Sequence, residues 1–294
     1  MSDTSLRRQI ARCAREAGAE AVAVAVHDYQ TSVSWSYHGE EWFHAASTIK
    51  VPVLLGVFGE IEAGRLSPDA RVHVRNRFIS AADGEPYRLE SARDSNSVVH
   101  AAIGRTLRVR ELAHHMIATS SNLATNLLIE LIGVERIHEH LRALGVAGGV
   151  ELRRGVEDNR AWEQGISNRV TADGLRQLLR IIAEDRAFSP ESSRAILEIL
   201  HAQEYNSGIP AGLPEEARIA HKTGEISTAA HDAGIVQLPG RKPYILVVLT
   251  RWAEEVQGRN ATIAQIARIV HEHTVEDDTE AEGGAGAGGV VVNA

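Results

Sequence analysis

The 294-residue chain has a single cysteine, so no disulfide can form within it. Cys13 continues the apolar spacing Leu6, Ile10, Cys13, Ala17. It is expected in the core, because a reactive thiol needs an electropositive, partly exposed setting. Long apolar runs are missing too. No stretch approaches the roughly 20 residues of a membrane span, and the opening MSDTSLRRQIARCAREAG lacks the apolar segment of a secretory signal. The sequence as it stands is therefore expected to be cytoplasmic and free of membrane. Basic clusters are absent as well. The net charge is −8 at pH 7, and five acids lie together between Glu276 and Glu282. Nothing suits a nucleic-acid groove or an anionic lipid surface.

Metal spacing is also lacking among the 14 histidines. HEH at 138–140 and at 271–273 sets histidines two residues apart, on different sides of a helix, and the HH pair at 114–115 is no better placed. There is no HExxH and no GxSxG elbow. GAGAGG at 284–289 fits a dinucleotide-binding pattern by accident, with no strand before it and no helix after it. Neither a metal nor another cofactor is expected.

Lysine is nearly absent. Of 31 basic residues only Lys50, Lys222 and Lys242 are lysines. Lys50 interrupts the apolar run in HAASTIKVPVLL, residues 44–55, three positions after Ser47. On a helix those two side chains share a face. Ser47 would lie in the first turn, where free N–H groups and the dipole favour an anion. A desolvated lysine loses basicity, and a neutral amine can take a proton from serine, which guanidinium cannot. Alone, the pair reads first as an N-cap serine and a lysine snorkelling to the surface.

Two further stretches carry chemistry. Ser120, Ser121 and Asn122 break an apolar helical run. Such residues are poor inside helices, so the stretch reads as a loop with Ser121 or Asn122 capping the next helix. A hydroxyl relaying a proton and an amide binding substrate is the functional alternative. Lys222, Thr223 and Gly224 end a strand-like segment. They read either as an ordinary turn or as a cation, a hydroxyl and a close backbone approach.

Along the chain, alternating Val22, Val24 and Val26 mark a strand, with SVSWSYHG as its partner. Residues 66–106 are polar and irregular. Helical periodicity dominates from about 107 to 201, and two strands and a helix close the chain. Strands at both ends and helices between predict one α/β layer with an inserted helical domain. The expected division is 1–60 with 195–275, then 61–194, and a disordered acidic and glycine-rich tail over 276–294.

Ser-x-x-Lys at 47–50, Ser-x-Asn at 120–122 and Lys-Thr-Gly at 222–224 occur in the order found in class A β-lactamases and penicillin-binding proteins. The chain resembles that family over residues 5–275. The resemblance implies a two-layer fold, an antiparallel sheet with flanking terminal helices and an inserted helical domain. It also implies a serine hydrolase acting on a small molecule, most readily a β-lactam, through an acyl-enzyme. An esterase, amidase or D,D-peptidase on the same scaffold, or a penicillin-binding sensor without turnover, is the alternative. Members of the family are commonly periplasmic or secreted. Position by position, Ser47 would be the nucleophile, Lys50 its base, and Ser120 the donor to the leaving nitrogen. Asn122 would hold the substrate amide, and Lys222 and Thr223 its carboxylate. Backbone N–H groups of Ser47 and Glu225 would form the oxyanion hole.

Deacylation in the family uses a loop glutamate. Glu157 lies 37 residues after Ser120 and 65 before Lys222, close to the family spacing. The asparagine usual four residues later is Ala161 here, leaving Asn159 as a substitute and Glu157, Asp158 or Glu163 as plain loop charges otherwise. Three other departures stand out. Ser121 replaces the middle aspartate and removes a bracing carboxylate. The long segment 76–96 is expected to reshape a pocket wall, with Phe78 or Tyr87 lining it. Glu225 places an acid beside a site built for a carboxylate. His221 and His231, next to the Lys-Thr-Gly region, are expected at the pocket edge.

Overall fold

The computed structural model describes residues 3–94, 97–254 and 256–285. A five-stranded antiparallel sheet runs in the order Arg218–Ile226, Ala229–Gln237, Tyr244–Arg251, Ala21–Asp28, Ser34–Tyr37. Both faces are covered, so the neighbouring strands Ala21–Asp28 and Tyr244–Arg251 are apolar and buried at nearly every position. Val22, Val24 and Val26 face a cluster with Leu6, Ile10 and Cys13 of the opening helix Asp3–Glu16. Ile263, Ile266 and Val270 of the closing helix join that cluster. Cys13 is thus a core residue, and burial pushes its thiol pKa up. Ala23 and Ala25 face the other cluster, built mainly from the central helices.

Through that second cluster runs the helix Lys50–Glu62, with Val51, Val53, Leu54, Leu55 and Val57 all buried. Each such side chain contributes about 1.5–3 kcal/mol by burial. Pro52 falls in the first turn, where its missing N–H costs nothing. Around this helix pack Val109–Ala118, Asn122–Ile132 and Val134–Ala143; Ala172–Ala183 lies against the sheet, and Pro190–His201 touches both. Thr171 and Ser189 cap the last two by accepting from Gly174 N and Ser192 N.

Two expectations change. The 66–106 stretch is partly regular: Arg71–His73 pairs with Thr106–Arg108, and Phe78–Ile79 with Pro86–Tyr87. The closing helix starts at Arg259 and continues past Val275 to Ala285, because the glutamates and alanines there are good helix formers. The rest of the acidic and glycine tail, 286–294, lies outside the described residues. No described helix is long and apolar enough to cross a membrane.

Candidate active site

Ser47 sits in a 3₁₀ turn, Ala46–Ile49, that feeds directly into the Lys50 helix. Ala46 has φ +44° and donates its N–H to His44 Nδ1 at 3.0 Å. His231 Nε2 donates to His44 O at 2.8 Å, while its Nδ1 accepts from Thr250 N at 3.1 Å. These bonds fix both imidazoles as neutral tautomers. Burial agrees, bringing each pKa down from 6.5 to about 4. His231 therefore lines the pocket as predicted and also braces the turn.

Lys50 is fully buried. Its Nζ lies 3.0 Å from Ser47 Oγ, 3.0 Å from Ser120 Oγ, 2.7 Å from Ser120 O and 2.8 Å from Asn122 Oδ1. Desolvation brings its pKa down from 10.5 to about 7, against the pull of Asp94 and Glu157. Near neutrality the amine is thus populated in both forms. One nitrogen reaches both hydroxyls, which is what a proton carrier between them needs.

Ser121, not Asn122, caps the helix Asn122–Ile132, accepting from Ala124 N at 3.2 Å. The bracing carboxylate that the sequence appeared to lack is present, supplied by Asp94. It accepts from Ser121 Oγ at 3.2 Å, Asn122 N at 3.1 Å and Leu123 N at 2.9 Å, and pairs with His100 Nε2 at 3.1 Å. An anion is favoured at this helix N-terminus. No local pattern announces Asp94, because its partners lie far along the chain.

Asn122 joins two groups. Its Oδ1 accepts from Lys50, and its Nδ2 donates to Glu157 Oε1 at 2.6 Å. Glu157 has φ +58°, Ser120 +57° and Ala46 +44°. Three non-glycine residues in the left-handed region thus surround one site, each at a cost of about 1–3 kcal/mol that the surrounding structure must offset.

Asn126 offsets part of the strain at Glu157. It accepts from Val156 N at 2.8 Å and donates to Val156 O at 3.0 Å and to Tyr87 Oη at 3.1 Å. Asp158 caps the short helix Asn159–Glu163 through Ala161 N and accepts from Ser80 Oγ at 2.7 Å and Ala81 N at 2.8 Å. Asp158 is therefore a buried anchor, Asn159 lines the cleft, and Glu163 is exposed off it. Phe78 and Tyr87 are not in the cleft with Ser47 as predicted. They line a separate cavity of about 220 Å³ behind the loop, since the Phe78–Tyr87 strand pair packs beneath residues 153–155.

A Cβ on Gly155 would run into Tyr87 Oη and stand 3.0 Å from Asn126 Oδ1. Gly155→Ala is expected to lower stability by about 1–3 kcal/mol and to slow turnover by shifting Glu157. Thermal melts and steady-state rates on the same preparation check this. An unchanged melt with unchanged rate would mean that the loop accommodates the methyl.

Lys222, Thr223 and Gly224 lie on the edge strand Arg218–Ile226. A Cβ on Gly224 would stand 3.0 Å from Ser47 N and Thr48 N, so glycine permits the close approach. Lys222 is fully buried, with Nζ donating to Thr223 O at 2.9 Å. Burial, followed by the charge of Lys50, holds its pKa well below 10.5. It lies behind the cleft wall, whereas Thr223 and Glu225 line it. Arg259 pairs with Glu225 at 2.7 Å, and Asn260 Nδ2 donates to it at 3.2 Å, so this acid is compensated. His221 does not reach the pocket. It is buried in a pair with Asp232 at 2.8 Å, and its Nε2 meets Asn206 Oδ1 at 3.2 Å.

Two lobes meet at Ser47. One, of about 310 Å³, is walled by His44, Asn122, Arg154, Glu157 and Trp162. The other, of about 220 Å³, is walled by Ser120, Tyr205, Thr223, Gly224 and Glu225.

The sequence matches the β-lactamase enzyme family over residues 5–274. The chain belongs to that family. It is 23% identical over 260 residues to β-lactamase VEB-1 of Pseudomonas aeruginosa, covering 84% of this chain and 83% of that one. It is 26% identical over 270 residues to a β-lactamase of Rhodobacter capsulatus, covering 90% and 87%. Among solved structures, a variant of the last common ancestor of Gram-negative class A β-lactamases is 26% identical with a TM-score of 0.80, covering 93% of this chain and 99% of that one. An acyl-enzyme complex of a PBP-A variant with penicillin G shares the fold at 24% identity and a TM-score of 0.79, covering 93% and 97%. The chain is thus a class A β-lactamase-like serine hydrolase with the expected two-layer fold.

Proposed function

We propose that the protein hydrolyses β-lactams through an ester on Ser47. The carrying observation is the single Lys50 amine 3.0 Å from both Ser47 Oγ and Ser120 Oγ. Neutral Lys50 takes the Ser47 proton as Oγ attacks the lactam carbonyl. The C–N bond then breaks, and the nitrogen takes a proton from Ser120 Oγ, which Lys50 resupplies. Asn122 holds the substrate amide, and the N–H groups of Ser47 and Glu225 face the developing oxyanion. Thr223 binds the substrate carboxylate, and Lys222 supports it by charge from behind the wall. Glu157 draws a proton from a water that attacks the ester, releasing the opened product and restoring Ser47.

The test is intact mass over time with a chromogenic cephalosporin. Colour with a transient adduct on Ser47 is expected, and Ser47→Ala gives neither. A permanent adduct would mean a penicillin-binding sensor, and turnover of a p-nitrophenyl ester alone an esterase.

The acylation rate has a pH dependence of known sign. Lys50 is the base only when neutral, and its pKa is about 7. Acylation should therefore fall about tenfold per pH unit below that value and level off above it. Single-turnover acylation from pH 5 to 9 measures this; a flat profile would remove Lys50 as the base.

A further inference from the structure

Arg154 is 7% exposed and forms no ion pair among the described residues. Its Nε has no hydrogen-bond partner, and Nη1 donates only to the neighbouring Gly155 O at 3.1 Å. Its guanidinium lies 5.8 Å from the ring centre of Trp162. Buried arginine is rarely left without an anion, because desolvating a charge is costly unless a counter-charge repays it.

The local side chains do not fill that role. Burial works against the guanidinium charge, and Asp158 is the acid that most supports it, but its oxygens already serve Ser80, Ala81 and Ala161. Asn168, which takes the N–H groups of Arg153 and Arg154 on Oδ1, is a neutral amide. His44 is held neutral, partly by the Arg154 charge. Of the acids on the same lobe, Glu157 is bound by Asn122, Glu225 is paired with Arg259, and Glu254 is exposed at the rim.

Arg154 therefore brings an unmatched positive charge to the wall of the lobe that opens onto Ser47. Resting on the acyl-enzyme reading above, we infer that this lobe selects substrates whose acyl side chain carries a carboxylate, with Arg154 as the residue that recognises it. A guanidinium suits the task because its fork pairs with two carboxylate oxygens at once. Trp162, 48% exposed, would cover the flat face of an aryl group on the same side chain.

The test compares benzylpenicillin with its α-carboxy analogue, which differ by the one carboxylate. The ratio of kcat/KM, analogue over parent, is expected to be about tenfold or more in the native protein. In Arg154→Gln it should collapse to about one or below, and Arg154→Lys should fall between. A ratio cancels general damage to the loop. A native ratio at or below one, or a ratio unchanged in Arg154→Gln, would overturn the inference. A second readout does not depend on acylation: phenylmalonate should quench tryptophan fluorescence saturably at concentrations where phenylacetate does not. Equal responses to the two acids would also sink the assignment. If no β-lactam forms an adduct, the acyl-enzyme reading fails, and the phenylmalonate titration still decides Arg154.

Discussion

Glu157→Gln leaves acylation of Ser47 intact and stops the cycle there. The glutamine keeps an oxygen for the Asn122 Nδ2 bond, 2.6 Å in the native protein, so the site keeps its shape. What it loses is the basic oxygen that takes a proton from water. General-base assistance is worth about 100- to 10,000-fold, so turnover should drop by that range while the Ser47 adduct accumulates to one per chain. Intact mass after mixing, read beside the burst of chromophore release, measures both. A variant that turns over normally removes Glu157 from deacylation and moves the role to another group on the 153–163 loop. The left-handed backbone at Glu157 bears on this result. A residue held at φ +58° by the Asn126 bonds on its neighbour is fixed in direction, and a fixed carboxylate is what water activation needs.

The second large effect is at Asp94, which touches none of the reacting atoms in the proposed mechanism. Asp94→Ala leaves Ser121 Oγ, Asn122 N and Leu123 N without their acceptor at a buried helix start. Unsatisfied buried donors cost about 1–3 kcal/mol each, partly recovered if water enters. A loss of about 3 kcal/mol is expected, lowering the melting temperature by about 6–10 °C. Activity should fall as well, since Asn122 loses its backbone anchor and with it the link between Lys50 and Glu157. Asp94→Asn keeps one acceptor oxygen and should recover much of the stability. If Asp94→Ala melts like the native protein, the carboxylate is not the brace that the geometry describes.

The two effects differ in origin. In the proposed mechanism Glu157 acts on chemistry through one proton, and its loss should hardly move the melt. Asp94 acts through position, so its loss should move melt and rate together. Measuring both quantities on both variants separates a chemical role from a positioning one.

How much of this was legible in the sequence depended on range. Lys50 three residues after Ser47, Ser121 at a helix start, and Lys222-Thr223-Gly224 on one strand are local patterns. Helix and strand periods bring those side chains onto one face or one edge, so spacing along the chain carries their meaning. The alternation of Val22, Val24 and Val26 is local in the same way, and the sheet with its covering helices followed from it. Asp94 beneath Ser121, Arg259 against Glu225, and Tyr87 under Val156 are pairings between distant segments. No periodicity encodes them, and only the packing of loops onto the core brought them together. The depressed basicity of Lys50 lies between these cases. Its place in an apolar run already implied desolvation, but its four oxygen neighbours come from two segments joined only by the fold. The sequence by itself singled out the residues to which the proposed function assigns the serine chemistry, because short-range spacing sets their three motifs. The tertiary structure alone decided how those residues are held and which charges remain unmatched, because burial and ion pairing are properties of the packed chain.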